Sequence, residues 1–482
     1  MSRIRRWLGL GPEIEGDGDG ALRRRVMMLA WPAMLQGLLI TSIQVIDTYI
    51  VSMLSDEALA AVGTASQLIF VLLILLIGVE VGGSVLVAHA VGARDRREAN
   101  RVARQTIVVG LILAMPLTAI GYGLRHELIG LFGLEPAVEA LTLEYWSVIA
   151  FSVAVLMLVF VLSGLLRGSG DTRTPMIASG IATVTNAFFA YVLVFGHLGF
   201  PEMGVAGSAL GSTIGWSTEV IFMLWVLQRG DRPVSLIGRR GWWPRWETVK
   251  GIARIGAPVS GEETSWSFGL ALLTGIVAIL GTEALAAHRI VFNALTLSFM
   301  PGLGLAMATT ALVGQAVGGR DPETARRVTA IGGQYAATWM GMIGVIYFVA
   351  AEPIVRVFSS DPEVISAGAW ALRALAVTQP FWGLLLAFSG AMRGTGKSVY
   401  PMLVNSFMVW SAVGLAFVAV SAGLGLGAVW FAFAVVAPVP VWLLWKRLGR
   451  EPLLTSGHPD ILDPGPRPMS APGAAIYTPD ID

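Results

Sequence analysis

Twelve apolar stretches, each about as long as a bilayer-crossing helix, divide this chain, and they limit what it can fold into more than any other feature. They fall near 26–53, 58–91, 100–124, 138–165, 174–196, 204–228, 248–280, 283–317, 325–350, 363–391, 399–421 and 426–446, separated by charged or Gly/Pro-containing breaks. A spanning helix takes about 20 residues. The runs are continuously apolar with no alternation of period two, which points to helices and excludes barrel strands. With 55% of residues hydrophobic and only 13% charged, there are too few charges to clothe a water-soluble globule, so a soluble enzyme is excluded. The absence of cysteine rules out disulfides, thiolate metal sites and cysteine nucleophiles. A net charge of +1 offers nothing to nucleic acid. The expected partners are the lipid bilayer and small molecules.

Basic residues set the expected orientation. On this map 29 of the 33 Lys and Arg residues share one side, which the positive-inside rule assigns to the cytoplasm together with both termini. The expectation is a multi-pass protein of the cytoplasmic (inner) membrane. Residues 1–25 have no apolar h-region and no small-residue cleavage site, so they do not read as a signal peptide. They read as a cytoplasmic tail, with a short basic amphipathic stretch around Ile4, Trp7, Leu8 and Leu10 as the surface-binding alternative. The segment from Glu451 onward is rich in Pro, Gly and Asp and reads as disordered.

Sliding the chain over itself by 226 residues exposes a repeat. Glu57–Ala61 returns at Glu283–Ala287, Ala90–Asp95 at Ala316–Asp321, and the Arg-Gly-x-Gly of Arg167–Gly170 at Arg393–Gly396. Pro32 maps onto Pro258, Pro175 onto Pro401, and Phe132 with Pro136 onto Phe358 with Pro362. Residues 57–101 share 15 identities with 283–327 without a gap, where chance in so apolar a composition gives about 4 or 5. Six spans per half is an even number, so the repeat is parallel, with a pseudo-twofold axis along the membrane normal. The expected fold is therefore all-α and integral to the membrane, with twelve helices in two six-helix bundles. The divisions are a tail at 1–25, a first lobe at 26–228, a cytoplasmic linker at 229–247, a second lobe at 248–448 and a tail at 449–482. Two facing bundles enclose a cleft, the arrangement of a secondary transporter working by alternating access; a static channel built by duplication is the bland alternative. A complete two-lobe unit needs no second copy, so a monomer is expected.

The doubled Arg-Gly-x-Gly loop with its following proline, the stretches 281–288 and 313–321, and Asp47-Thr48 in the first span resemble the multidrug and toxic compound extrusion (MATE) transporters over about residues 24–448. The resemblance implies a proton- or sodium-coupled antiporter exporting organic cations and amphipathic compounds, with no cofactor beyond the coupling ion. It further implies that Asp47 is the protonation site of the first half, that Pro32 is the position where the first helix kinks, and that Asn186 and Ser208 belong to the same pocket. Many members place a second acid four residues after Asn186; this chain has Ala190.

Charges inside spans need a reason, since one at the bilayer centre costs about 2.5–3.5 kcal/mol on insertion scales. Asp47 is the leading candidate. Gln36 and Gln44 fall within about 80° of it on a helical wheel, making one polar stripe and two candidate substrate ligands. Burial disfavours the charged form of a carboxyl, which lets a modest gradient load and unload it. Pro32 and Pro258 remove a backbone hydrogen bond each and permit a kink. Glu80, whose repeat partner is Ala306, is a candidate second coupling acid in the same chamber, with structural pairing as the alternative. Glu262 and Glu263 follow Pro258. Adjacent helical positions point about 100° apart, so one of them faces the cleft centre; Glu262, repeat partner of Gln36, is chosen for coupling, and Glu263 for substrate contact. Asn186 and Ser208 are the remaining candidate substrate ligands, and no metal site is expected. Glu219 has no assigned role. The Arg-Gly-x-Gly loops lack a P-loop context and read as tight turns with glycine at positive φ, their arginines holding the inside orientation. Two rivals remain. A flippase for lipid-linked precursors needs arginines in the cleft, where this chain has acids. A membrane-embedded enzyme needs clustered His/Asp/Glu, and the five histidines are scattered.

Overall fold

The structure, a computed structural model, describes residues 19–450 apart from 231 and 239. The stretch around Ile4 to Leu10 and the segment from Glu451 onward lie outside the described residues. Every regular element among the described residues is helical. In the first half these are α1 (Asp19–Ser52), α2 (Asp56–Gly92), α3 (Arg96–Gly123), α4 (Arg125–Gly130), α5 (Pro136–Gly168), α6 (Arg173–Phe195) and α7 (Gly204–Gln228). The second half has α8 (Trp246–Ala278), α9 (Thr282–Gly318), α10 (Pro322–Val349), α11 (Ala351–Phe358), α12 (Pro362–Gly394), α13 (Val399–Ser421), α14 (Leu426–Val436) and α15 (Pro438–Arg450). Short α4 and α11 are appendages, and α14 with α15 makes one span, leaving twelve membrane-length units. Ten of these are long and apolar enough to cross a bilayer unaided. Of the other two, α10 reaches that standard only with α11, bent from it by 76°. In α8 the middle is polar through Ser260, Glu262, Glu263, Thr264, Ser265 and Ser267.

Local chemistry sets the helix ends. Asp95 and Asp321, repeat partners, accept hydrogen bonds from the amides of Glu98 and Thr324 and start α3 and α10. The residues just before them, Arg94 and Arg320, both take a left-handed backbone, at φ 57° and 58°. The two Arg-Gly-x-Gly turns also match, with Gly170 at φ 92° and Gly396 at φ 82°, as the sequence implies for tight turns. Pro32 and Pro258 sit inside helices that run through them unbroken.

Packing follows the repeat. In the first lobe α1 lies on α6, and α2, α3 and α7 surround α5; in the second α8 lies on α13, and α9, α10 and α14 surround α12. Between lobes, α1 packs on α9 just as α8 packs on α2, and α2 meets α9 across the axis. That exchange of partners is the signature of a parallel pseudo-twofold. The segment 229–245 is not a free tether: Val234 and Leu236 are buried, the Ser235 amide donates to Asn100 Oδ1 (2.7 Å), and Gln105 Nε2 donates to the Trp243 carbonyl (2.9 Å), fastening it to α3.

Among the described residues, the hydrogen bonds and close glycine contacts between the lobes gather toward one end, the end that holds the turns at 93–95, 169–172, 319–321 and 395–398 and most of the arginines. Here Gly92 abuts the backbone of Gln315 and Gly318 abuts that of His89, so a Cβ on either glycine would overlap a carbonyl. His89 Nε2 bonds the Gly394 carbonyl (2.8 Å) and Gln315 Nε2 donates to the Gly168 carbonyl (3.0 Å). Every member of this seal is 226 residues from its counterpart. Further along, Gly37 meets Met300, Gly304 meets Met34, and Gly78 and Gly82 meet α8 at Gly256, Ser260 and Ile252. Beyond Ser260, whose hydroxyl donates to the Ile74 carbonyl (2.8 Å), no hydrogen bond joins the lobes among the described residues. The cleft is therefore closed at the basic end and open at the far end.

Candidate functional site

Two buried polar layers cross the first lobe. The layer nearer the open end is centred on Asp47 of α1, which is 6% exposed. Asn186 Nδ2 from α6 donates to Asp47 Oδ1 (3.1 Å) and to Ser212 Oγ (3.0 Å), and the Ser212 hydroxyl, from α7, donates to Asp47 Oδ2. Ser208, one turn earlier on α7, is fully buried beside the same carboxylate. Sequence reasoning brought Asp47, Asn186 and Ser208 together and missed Ser212, which lies four residues past Ser208 on the same helical face. The substitution at Ala190 has a packing reason. Gly207, Gly211 and Gly215 form a small-residue stripe on α7 along which α6 approaches closely, and Ala190 lies against the Gly211 backbone. Ala190 is fully buried at that crossing.

The second layer lies toward the basic end. Both α6 and α7 reach it seven residues further on, at Ser179 and Glu219, two helical turns or ~10 Å from the first. Arg167 at the end of α5 donates through Nη1 to Gln36 Oε1 (2.8 Å) and pairs with Glu80 through Nη2. Gln36 Nε2 donates to Ser163 Oγ (3.4 Å) and Ser179 Oγ (3.3 Å), and Ser179 Oγ donates to Glu219 Oε1 (2.6 Å). All six residues are buried.

These contacts correct several sequence-based expectations. Glu80 does not share a chamber with Asp47; it turns into the lobe, where Arg167 gives it a cationic partner. Gln36 is held by Arg167 and two serines and is a structural member of this layer, away from the cleft. The arginine of the first Arg-Gly-x-Gly turn is a buried partner, not a surface mark of orientation. Glu219, left without a role, belongs to the same layer.

The second lobe builds an equivalent layer from repeat partners. Glu262, Ser389, Arg393 and Asn405 stand 226 residues after Gln36, Ser163, Arg167 and Ser179. Arg393 Nη2 donates to Glu262 Oε1 (2.7 Å), and Asn405 Nδ2 donates to the same oxygen (2.6 Å) and to Ser389 Oγ (3.0 Å). Glu262 is therefore drawn into the lobe, away from the cleft centre where it was expected. Glu263 lies three residues past Ser260, on the α8 face that packs against α2 through Ile252, Gly256 and Ser260, and that face continues into the cleft. Glu263 is half-buried there. No counterpart of the Asp47–Asn186 pair exists: Leu273 and Ala412 stand 226 residues after Asp47 and Asn186, and α14 and α15, the repeat of α7, carry no acid.

Gln44 is exposed. It lies two turns past Gly37 on the α1 face that meets α9, and with Thr41 and Thr48 it lines the opening once the lobes part. The stripe expected from Gln36, Gln44 and Asp47 thus divides among an inner layer, the cleft wall and an outer layer, because α1 is wrapped by different neighbours along its length. In this cysteine-free chain a Gln44→Cys variant is expected to react readily with a water-soluble maleimide, while Ser179→Cys, buried in the inner layer, stays unlabelled. Equal labelling would contradict the open cleft.

The MatE family model matches residues 32–192 and 258–431, one stretch in each lobe. The chain is a member of the MATE family of transporters. This MATE transporter is 34% identical over 400 residues to a probable multidrug resistance protein NorM of Thermotoga maritima, covering 81% of this chain and 84% of that one. A multidrug resistance protein NorM of Burkholderia vietnamiensis is 29% identical over 434 residues, covering 87% and 92%. Among solved structures, MATE in the bent conformation superposes with a TM-score of 0.84 at 25% identity, covering 92% of this chain and 99% of that one. The outward-facing conformation of a multidrug resistance MATE family transporter of the MOP superfamily superposes at 0.83, also at 25% identity, covering 92% and 100%. The transporter is thus a multi-pass membrane protein with the two-lobe fold of its family.

Proposed function

We propose that this MATE transporter is a secondary antiporter that exports organic cations and amphipathic drugs in exchange for protons, with Asp47 as the coupling carboxylate. The observation that carries the reading is a buried carboxyl beside an open cleft, in the one lobe that has such a layer. The names of the NorM relatives support a drug cargo. Lys and Arg crowding at the closed end supports a cytoplasmic position for that end and for both termini, so the cleft faces outward. In that state Asp47 exchanges its proton with the outside, and cargo held between the lobes leaves. Rocking the lobes breaks the seal at Gly92 and Gly318 and reopens the cleft inward. Glu263, Gln44 and the methionines Met34 and Met300 line its wall and floor, a setting that accommodates cationic and apolar guests.

A proton is favoured over sodium by the identity of Asp47's partners. Both carboxylate oxygens receive hydrogen-bond donors, from Asn186 Nδ2 and Ser212 Oγ, whereas a sodium site needs several oxygen lone pairs turned toward one point, and Ala190 removes one source of them. The flippase reading has no comparable support, because Arg167 and Arg393 are both paired with carboxylates. Efflux of a fluorescent organic cation from proteoliposomes, with proton and sodium gradients imposed separately, tests the coupling. The pH gradient alone is expected to drive efflux and the sodium gradient alone to leave it at background. Efflux driven equally by sodium would overturn proton coupling.

A further inference from the structure

The layer that joins Gln36, Glu80, Ser163, Arg167, Ser179 and Glu219 has two carboxyls and one guanidinium. Around it α1 contributes Gln36, α2 contributes Glu80, α5 contributes Ser163 and Arg167, α6 contributes Ser179, and α7 contributes Glu219 and Met223. No other ionisable side chain is hydrogen-bonded into it among the described residues. Every one of these groups is less than a tenth exposed, so an uncompensated negative charge here would have neither water nor a counter-ion. The second lobe's version differs in that respect: Ala306 replaces Glu80, α14 and α15 carry no acid, and its extra acid, Glu263, is only half-buried toward the cleft.

We infer that this layer is a second proton-binding site of the transporter, and that Glu219 holds the proton while the cleft is open at the far end. The two acids are not equivalent. Glu80 receives a charge-assisted hydrogen bond from the Arg167 guanidinium, which stabilises its ionised form. Glu219 receives only the neutral Ser179 hydroxyl, and its direct bonds include no cation. The hydrogen bonds run in one sense, from Arg167 to Gln36, from Gln36 to Ser179 and from Ser179 to Glu219, so a displacement of Gln36 is felt at both ends. Gln36 is one turn past Pro32 on α1. Movement of α1 that detaches Gln36 frees Arg167 to approach Glu219. The carboxyl then ionises, and its proton passes to water entering from the basic end as the seal opens. The inference concerns the equilibrium protonation of Glu219, so it stands or falls separately from the coupling role of Asp47.

Infrared spectroscopy of the purified transporter in lipid nanodiscs tests it, in an Asp47→Asn background so that Asp47 does not contribute. A protonated-carboxyl stretching band is expected to persist in that background. It should shift in frequency when Glu219→Asp is added and stay in place when Glu80→Asp is added, both of which keep the charge count. Glu80→Gln, which leaves Arg167 matched to Glu219 alone, should abolish the band by ionising Glu219. A band absent from the background protein, one that shifts with Glu80→Asp and not with Glu219→Asp, or one that survives Glu80→Gln, each overturns the assignment. Monodisperse elution and an unchanged amide band confirm that each variant measured is folded.

Discussion

Asp47→Asn is expected to bring drug efflux from proteoliposomes down to that of protein-free vesicles, with the protein still folded and inserted. The substitution keeps the shape of the side chain and one oxygen to accept the Asn186 Nδ2 bond. The new amide nitrogen faces Ser212 Oγ, which already accepts from Asn186 and, as a hydroxyl, can accept again. The released Ser212 proton has the buried Ser208 hydroxyl one turn away. The layer therefore survives, and removing a buried charge spares its desolvation. Only the ability to take up and release a proton is lost. The measurement is pH-driven efflux of a fluorescent cation, with expression and elution volume as controls. Efflux at the wild-type rate by Asp47→Asn would remove Asp47 from the coupling step.

The second large effect is expected at the seal. Gly92→Leu should shift the population from the outward-open arrangement to one closed at the far end. A side chain at 92 must enter space occupied by the Gln315 carbonyl, and both are backbone positions within long helices that cannot yield independently. Overpacking typically costs about 1–3 kcal/mol, and each 1.4 kcal/mol is about tenfold in a population. The outward-open fraction should fall at least several-fold. Maleimide labelling of Gln44→Cys reports it directly: labelling should slow in proportion in the Gly92→Leu background, and transport should slow with it. Gly318→Leu, the symmetry-related change against His89, should act alike. Unchanged labelling in both would mean that the glycine contact is not what closes the basic end.

The positions of the spans and the repeat were legible because both depend on long-range averages: twenty consecutive apolar side chains, and a 226-residue offset sustained over many positions. The described helices match the twelve apolar stretches to within a few residues at most ends, with α1 starting earlier, at Asp19, and α5 running on to Gly168. Side-chain destinations were less legible. A helical wheel gives the angle between Gln36, Gln44 and Asp47 but not which helix stands at that angle at each height. Glu262 and Glu263 were separable as inward and cleft-facing, yet which was which depended on Arg393, a residue 131 positions after Glu262 whose burial no local pattern reveals. The repeat did contain an unused signal. Positions 36, 163, 167 and 179 are polar in both halves, as Gln, Ser, Arg and Ser and then Glu, Ser, Arg and Asn. Four matched polar positions in apolar surroundings mark a shared layer. Glu219 had no such mark, because α14 and α15, the repeat of α7, carry no acid.

The missing partner of the Asp47 layer bears on how such a chain is energised. Gating parts are present in duplicate, whereas the acid-centred outer layer exists once, with leucine and alanine across the axis where Asp47 and Asn186 stand. A chimera made of two copies of the second half would keep matched surfaces for closing and opening. With Asp47 as the proposed coupling carboxylate, it would lack the element that ties those movements to an ion gradient and behave as an idle hinge. On that reading the engine resides in one copy of the duplicated unit, and the other serves as the wall against which it works.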